Sequence, residues 1–348
     1  MTAGISGPTG AMGYSMFSVC DHYPTLARSG KAFLEELLEE IVLAEELGFG
    51  SYWIAEHHFH EYGLVANPAV FLTAAAQRTT TIRLGPAIAV LPFRNPLLVA
   101  EDYAMVDQLS GGRLVMGVGS GYLKHEYEGF GLDGSDKRER FDGGLDIIRR
   151  AWLGETITFT SPWFICANAK LQLLPLQRPH PPIHIAVIRR EAAYHVGRQN
   201  NRVIVVPYAT VDRLEEIGAL IAEYRSGREA AGHTAPLDDD AVVALHAYVA
   251  ETDDEARAHA AAPFDLYVET RLYAKSQVYD DILRSRLGLF GSVERVVDQI
   301  VELHGMGVPH LMLMMNFGNM AQEHVHRSMR LMTEEVIPRV AARIGASA

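Results

Sequence analysis

The chain alternates eight times between short apolar segments and longer amphipathic ones, and this alternation constrains its fold more than any other feature. The apolar segments begin with Tyr14–Val19 and end with His310–Phe317, and the third, Ile82–Leu91, shows no polar alternation. Strands without alternation are buried on both faces, as in parallel sheets. Segments such as Ala32–Leu47 carry apolar residues at helical spacing. The pattern predicts an α/β fold, a (β/α)8 TIM barrel.

An open doubly wound sheet is the alternative for the same alternation. Such a sheet usually binds its nucleotide at the first strand–helix turn, where this chain has no G-x-G-x-x-G motif. We expect a single barrel domain over residues 14–345, preceded by a loose, glycine-rich tail over residues 1–13. Two segments exceed the repeat, 155–181 and 252–291, and we expect them to be insertions after strands 4 and 7. They should lie near the rim that carries barrel active sites.

Composition narrows the class of partner. The net charge of −12 argues against nucleic acid or an anionic membrane as the main partner, because both bind surfaces rich in lysine and arginine. Two cysteines without a CxxC motif fit a reducing compartment, and the first residues lack the features of a secretory signal. No apolar run is long enough to cross a bilayer. We therefore expect a cytoplasmic protein that acts on a small molecule.

The stretch SYWIAEHHFHEYG, residues 51–63, places acidic and imidazole side chains at the end of the second predicted strand. Glu56, His57 and His58 follow that strand directly, so they should lie at the barrel mouth. His58 and His60 have a spacing that metal-dependent barrel hydrolases use, but such sites need more ligands from later strands. The later strand ends offer glycine, valine, isoleucine and asparagine, which are poor ligands. The sequence therefore predicts no metal site.

The fourth predicted strand ends in GVGSGY, where Gly117, Gly119 and Gly121 remove side chains at every second position. Glycine is used where backbone or a flat group must approach closely. Small residues beside paired histidines indicate a slot for a planar ring.

Several motifs resemble those of bacterial luciferase-like flavin-dependent monooxygenases: WIAEHHF, GL-x-x-NP, LGPAIAVLPFRNP and AEDYAMVDQLSGGRLVMGVGSGY. QRPHPPIHIA and NFGNMAQEHVHRSMRLMTEEVIP are similar more weakly, and 155–181 and 252–291 match least. The resemblance spans most of the chain and implies a TIM barrel that binds reduced FMN at its C-terminal mouth. It further implies reaction with O₂ through a flavin C4a-(hydro)peroxide, oxygenation of a small and mostly apolar organic substrate, and a separate flavin reductase. Family members commonly dimerise, and we expect a homodimer.

The same resemblance assigns site residues. His57 would be the catalytic histidine that exchanges a proton near the flavin–oxygen adduct, with His58 and Glu56 orienting it or lining the pocket. A histidine suits this task because its unperturbed pKa lies near neutrality. A non-prolyl cis peptide after the third strand, here Ala87-Ile88, would let the backbone lie against the flavin ring.

The phosphate end of the cofactor departs from bacterial luciferase. Gly119 stands where luciferase has a reactive cysteine, Ser120 where it has a phosphate-binding arginine, and Val187-Ile188 where it has a Glu-Ser pair. Arg138 matches a retained phosphate-facing arginine. Arg189 and Arg190, at the start of the next helix, are candidate substitutes, because cations and free N–H groups at a helix start suit a phosphate. These departures argue against light emission.

We predict that aromatic and amphipathic residues near strand ends line the substrate pocket. They are Phe59, Tyr62, Tyr122, Tyr127 and Asn316, with Phe130, Trp163, Phe164 and Phe317 as further members. The sequence is also compatible with other functions. The principal one is an F420-dependent oxidoreductase that transfers hydride on the same barrel, and a non-catalytic flavin-binding relative is another.

Overall fold

The computed structural model describes residues 12–235, 237, 239–271 and 277–347, so most of the predicted tail, residues 1–11, lies outside the described residues. Twelve strands are numbered in chain order. They are β1 Gly13–Ser18, β2 Ser51–Ile54, β3 Arg83–Pro86, β4 Ala89–Val90, β5 Met116–Gly119, β6 Ile157–Thr160, β7 Ile165–Ala169, β8 Ile183–Val187, β9 Arg202–Val205, β10 Ala241–Ala250, β11 Gly288–Ser292 and β12 His310–Asn316.

Thirteen α-helices connect these strands. They are α1 Gly30–Glu46, α2 Pro68–Ala76, α3 Pro96–Leu109, α4 Lys124–Gly129, α5 Lys137–Trp152, α6 Arg190–Arg198, α7 Pro207–Thr210, α8 Glu215–Ala230, α9 Asp253–Thr270, α10 Tyr279–Ser285, α11 Val293–Gly305, α12 Gln322–Leu331 and α13 Ile337–Ser347. A π-helical turn, Met332–Val336, joins the last two. The helices α2 and α3 both begin with an asparagine cap followed by proline, at Asn67-Pro68 and Asn95-Pro96.

The large sheet is a parallel barrel, which confirms the predicted fold class. Its strands follow the order β3-β2-β1-β12-β10-β9-β8-β5-β4. Because β3 and β4 are two parts of the one predicted third strand, and Leu84 also bridges to Leu114, this order closes into a ring of eight strand positions. The interruption between β3 and β4 is the cis peptide bond Ala87-Ile88, at the predicted place.

Two elements of the barrel differ from the sequence prediction. The sixth predicted strand, Arg202–Tyr208, ends at Val205, because Pro207 cannot donate to a sheet and begins the short helix α7 instead. Strand β11 lies inside the segment that we predicted as an insertion, and it pairs with the last five residues of β10. The ten-residue β10 therefore extends beyond the barrel ladder that it forms with β9 and β12.

The two long segments between barrel units have regular structure. Residues 155–181 contain the antiparallel hairpin β6–β7, and residues 252–291 contain α9, α10 and β11. The hairpin runs back along α5, so that Trp163 at its turn lies over the guanidinium of Arg140 in the first turns of that helix. Its tip thus lies near the C-terminal rim, as predicted.

The motif DQLSGGR has a structural role at the opposite end of the barrel. The guanidinium of Arg113 donates five hydrogen bonds of 2.7–3.0 Å to oxygen atoms of Ser110, Thr79, Ile82 and Ala76. These acceptors include the last carbonyls of α2, which otherwise lack helical partners. Arg113 therefore fixes the connection between α2 and β3, and through it the position of the strand that carries the cis peptide.

The interior of the barrel below the mouth is filled by side chains. Trp53 is buried, and a Cβ placed on Gly85 or Gly117 would lie 2.9 or 3.3 Å from its ring. The glycines also let neighbouring backbone approach, since a Cβ on Gly117 would lie 2.3 Å from the carbonyl oxygen of Pro86. Within the described residues, no helix combines the length and apolarity needed to span a membrane.

Candidate active site

A cavity of about 400 Å³ opens at the C-terminal ends of the strands, which is where barrel enzymes place their active sites. Its floor is apolar and comes from Phe17, Ala244 and Met312 on three neighbouring strands. Polar and charged side chains stand around its edge. This combination of an apolar body with a few polar groups is typical of a binding site for an organic ligand.

His57 lines this cavity and is held by a carboxylate that the sequence prediction did not include. Its Nδ1 lies 3.1 Å from Oε1 of Glu126, whose side chain is buried in α4. The same oxygen accepts the backbone N–H of His58 at 2.9 Å, so the carboxylate is itself fixed. Because an ionised carboxylate only accepts, Nδ1 carries the proton of this bond. The other ring nitrogen, Nε2, has no protein partner in the described part of the chain.

Glu56 and His58 pair with each other. Nε2 of His58 lies 3.1 Å from Oε1 of Glu56, and the other oxygen of Glu56 accepts the N–H of Val90 at 3.2 Å. Burial raises the pKa of Glu56, although the hydrogen bond and charge of His58 act in the opposite direction. The hydrogen bond to His57 comes from Glu126, and neither Glu56 nor His58 bonds to the ring of His57. Glu56 still lines the cavity, whereas His58 packs among Phe59, Phe93 and Phe130.

One wall of the cavity is shaped for a flat group. Ala87, Ile88, Gly119 and Ser120 all line it, as the resemblance predicts. A Cβ on Gly119 would lie 2.1 Å from Cδ1 of Ile88, so the glycine leaves the space into which Ile88 packs. The result is a smooth apolar surface of backbone and small side chains.

Three cations stand at the edge of the cavity beyond β5 and β8. Lys137 and Arg138 begin α5, and Arg189 is the N-cap residue of α6. The side chain of Arg138 is exposed and forms an ion pair with Asp142 at 2.8 Å. Arg138 still lines the cavity near its opening. Ile188 also lines the cavity, whereas Arg190 does not. These three cations, near the starts of two helices, give this edge a chemistry that suits an anion.

These features fit a flavin phosphate. The flat apolar wall matches the size and polarity of an isoalloxazine ring, and the cationic edge matches a phosphate at the end of its side chain. Lys137, Arg138 and Arg189 would hold the phosphate, and Ala87, Ile88 and Gly119 would face the ring. The same edge would also accept the phosphate of F420.

The predicted substrate residues separate into two groups. Tyr62 and Tyr122 line the cavity. Phe59, Tyr127 and Asn316 lie outside its wall.

Each of the three residues outside the cavity has another partner. Phe59 has a positive φ of 61°, which turns its ring outward, where it is 64% exposed and packs on Phe130. Tyr127 donates its hydroxyl to the carbonyl oxygen of Ser120. Asn316 donates to the buried carboxylate of Glu40 at 2.7 Å. The further candidates Phe130, Trp163, Phe164 and Phe317 also lie outside the cavity wall.

Among the polar side chains that line the cavity, three were missed from the sequence: Glu126, Lys137 and Tyr208. Tyr208 was assigned to a strand, and its place in α7 turns it to the cavity. Glu126 stands in HEYEG, directly after the fourth strand, and only its distance in space to His57 distinguishes it from nearby acidic residues. Among the residues that the structure describes, no group of three or more His, Cys, Asp or Glu side chains could hold a metal ion.

Comparisons with known proteins agree with this site. A family profile described as luciferase-like monooxygenase matches residues 12–310. The crystal structure of monooxygenase RslO1 from Streptomyces bottropensis is 30% identical, has a TM-score of 0.87, and is matched over 94% of this chain and 99% of its own. 4-Hydroxyprotoasukamycin monooxygenase from Streptomyces nodosus subsp. asukaensis is 29% identical over 87% of this chain and 86% of that protein.

The oxygenase component of a flavin-dependent trigonelline monooxygenase from Acinetobacter baylyi is 25% identical over 88% of this chain and 90% of that protein. Proteins named as F420-dependent glucose-6-phosphate dehydrogenases also match. The chain belongs to the luciferase-like monooxygenase family, as the sequence motifs predicted, and it is an oxidoreductase.

Proposed function

We propose that the protein is the oxygenase component of a two-component monooxygenase, which takes reduced FMN from a separate flavin reductase and oxygenates an organic substrate with O₂. The observation that carries this proposal is His57, whose Nδ1 is held by buried Glu126 while its ring lines the cavity between a flat apolar wall and a cationic edge. A relative named as the oxygenase component of a flavin-dependent monooxygenase supports the assignment.

The chain's own residues have three tasks in this proposal. Lys137, Arg138 and Arg189 bind the phosphate and so place the ring against the wall of Ala87, Ile88 and Gly119. Bound FMNH₂ supplies the electrons that activate O₂. The apolar floor keeps water away from the ring, which strengthens the remaining electrostatic interactions.

His57 moves the proton. The bond from Nδ1–H to Glu126 leaves Nε2 to accept or donate a proton in the cavity, and the negative charge of Glu126 stabilises the imidazolium. A proton carrier with an unperturbed pKa near neutrality can both take up and return a proton at physiological pH. Tyr62, whose ring centroid lies 4.6 Å from that of His57, limits how the imidazole can rotate.

The test is a titration of the purified protein with FMN, FMNH₂ and F420. We expect FMNH₂ to bind more tightly than F420, and O₂ consumption to depend on an added flavin reductase. A charge-reversal variant, Arg189→Glu, should weaken FMN binding without affecting riboflavin, which has no phosphate. Tighter binding of F420 than of FMNH₂, with hydride transfer and no O₂ consumption, would instead establish the F420-dependent alternative.

A further inference from the structure

Three tyrosine hydroxyls form a hydrogen-bonded chain beside the cavity. The hydroxyl of Tyr267 in α9 lies 3.0 Å from that of Tyr62 and 3.4 Å from that of Tyr208. All three side chains are buried, and Tyr62 and Tyr208 line the cavity. We call these three residues the tyrosine bridge.

The position of the tyrosine bridge follows from the strand order. Tyr62 follows β2, Tyr208 follows β9, and Tyr267 lies in the helix after β10, so the bridge spans β1, β12 and β10. The cations follow β5 and β8, which lie across the ring from β1 and β12; the Tyr208 end of the bridge, after β9, neighbours β8. A cofactor whose phosphate is held by the cations therefore has its tail directed away from the bridge. The space between ring and bridge is left for the substrate.

An arginine and a histidine pack against the tyrosine bridge. The guanidinium of Arg271 lies 4.7 Å from the ring centroid of Tyr208 and 5.6 Å from that of Tyr267. His246 packs against the same two rings, with centroid distances of 5.1 and 4.9 Å, and burial lowers its pKa well below the ordinary value. The bridge is thus backed by a neutral imidazole and a guanidinium group.

Arg271 and His246 do not line the cavity, whereas Tyr62 and Tyr208 do, so a ligand at this wall meets two tyrosine side chains. Hydroxyls donate to, and accept from, neutral oxygen atoms, and a few such groups in an apolar pocket set the orientation of the ligand. We propose that the tyrosine bridge is a substrate-recognition site that binds a neutral ketone or phenol oxygen of an otherwise apolar substrate. This inference rests on the proposed function for the place of the cofactor, and it adds the chemical class of the substrate.

The test uses two probes that differ by one oxygen, 2-naphthol and naphthalene, in equilibrium dialysis against the protein with and without FMN. We expect the wild type to prefer 2-naphthol by roughly fivefold to tenfold, the effect of one neutral hydrogen bond. Tyr208→Phe and Tyr267→Phe should each lose most of this preference and keep the affinity for naphthalene. Tyr248→Phe is the matched control, because Tyr248 is also buried but bonds to His259 outside the cavity, and it should keep the preference.

Equal binding of the two probes by the wild type, or a preference that both bridge variants retain, would overturn the proposal. The FMN titration separates this result from failure of the proposed function. If FMN does not bind, the function fails, while dialysis without FMN still measures the preference of the bridge. If FMN binds and the probes do not differ, only the bridge proposal fails.

Discussion

Each end of the barrel carries a histidine that is bonded to a carboxylate, but the surroundings of the two pairs differ. At the C-terminal mouth, Nδ1 of His57 lies 3.1 Å from Glu126. At the N-terminal face, Nδ1 of His310, the first residue of β12, lies 2.8 Å from Asp239. The side chains of the two histidines are almost equally covered, with 11% and 7% of their surface exposed.

The difference lies at the second ring nitrogen. Nε2 of His310 bonds to the hydroxyl of Ser15, which is fully buried in β1, so both nitrogens of this ring are occupied by the protein. His57 lines the cavity, and its Nε2 has no protein partner in the described ranges. Ser15, His310 and Asp239 thus bond in series at the closed end of the barrel. No ligand can reach the serine, so the role of these residues is to stabilise the fold. A histidine bound on one side only can act on a ligand.

The largest expected effect comes from removing the two histidines in turn. His57→Ala should lower turnover of an accepted substrate by roughly 10²- to 10⁴-fold, the usual contribution of a positioned proton carrier. His310→Ala should lower the free energy of unfolding and leave turnover per folded molecule unchanged. Both variants are measured in the same reductase-coupled assay, with the folded fraction determined by urea denaturation. Normal turnover by His57→Ala would show that His57 has no catalytic role, so that the two histidines would not differ in function.

A smaller effect is expected at the partner of His57. Glu126→Gln keeps the shape of the side chain but removes its charge and no longer selects one tautomer, so kcat should fall roughly tenfold to a hundredfold with little change in KM. Glu126→Asp, which restores the charge, should recover part of the rate. A normal kcat in Glu126→Gln would show that Glu126 has no part in proton transfer.

The smallest effect is expected at Asp239. Burial alone would raise the pKa of this carboxyl, but the hydrogen bond and charge of His310, and the charge of Arg83, lower the pKa well below its usual value. Because the folded pKa lies below the unfolded one, the pair stabilises the protein above about pH 4, and this contribution is lost as the pH falls further.

Asp239→Asn should therefore cost about 1–2 kcal/mol at pH 7, less at pH 3, and leave kcat unchanged. Urea denaturation of both proteins between pH 3 and 7 measures the difference. A constant difference across this range would mean that the charge of Asp239 contributes nothing.

The sequence predicted the barrel well, because its strands are apolar runs that alternate with amphipathic segments, two of which, α2 and α3, begin at Asn-Pro pairs. It missed β11, because Gly288–Ser292 is a short segment with glycine at its first and fourth positions and no clear period. Its pairing with β10 depends on a contact across about forty residues of chain.

The candidate site was predicted where it depends on strand ends and missed where it depends on side-chain direction. The place of His57 at the mouth follows from the end of the second strand, whereas the Ala87-Ile88 cis bond was predicted from the family resemblance. Asn316 also ends a strand, yet it turns outward to Glu40, whose buried carboxyl has a pKa raised by burial to about 7. Burial of a carboxylate requires a hydrogen-bond donor, and one sequence alone does not show which neighbour supplies it.

The contact between Gly119 and Ile88 has a consequence for directed evolution of this cavity. Any side chain introduced at position 119 would displace the terminal methyl group of Ile88, and the space open to that methyl is the cavity itself. Libraries that randomise position 119 alone would thus mostly sample smaller pockets. Randomising positions 88 and 119 together, with alanine and valine allowed at 88, would let a smaller side chain at 88 offset a larger one at 119. New pocket shapes would then be accessible in one step.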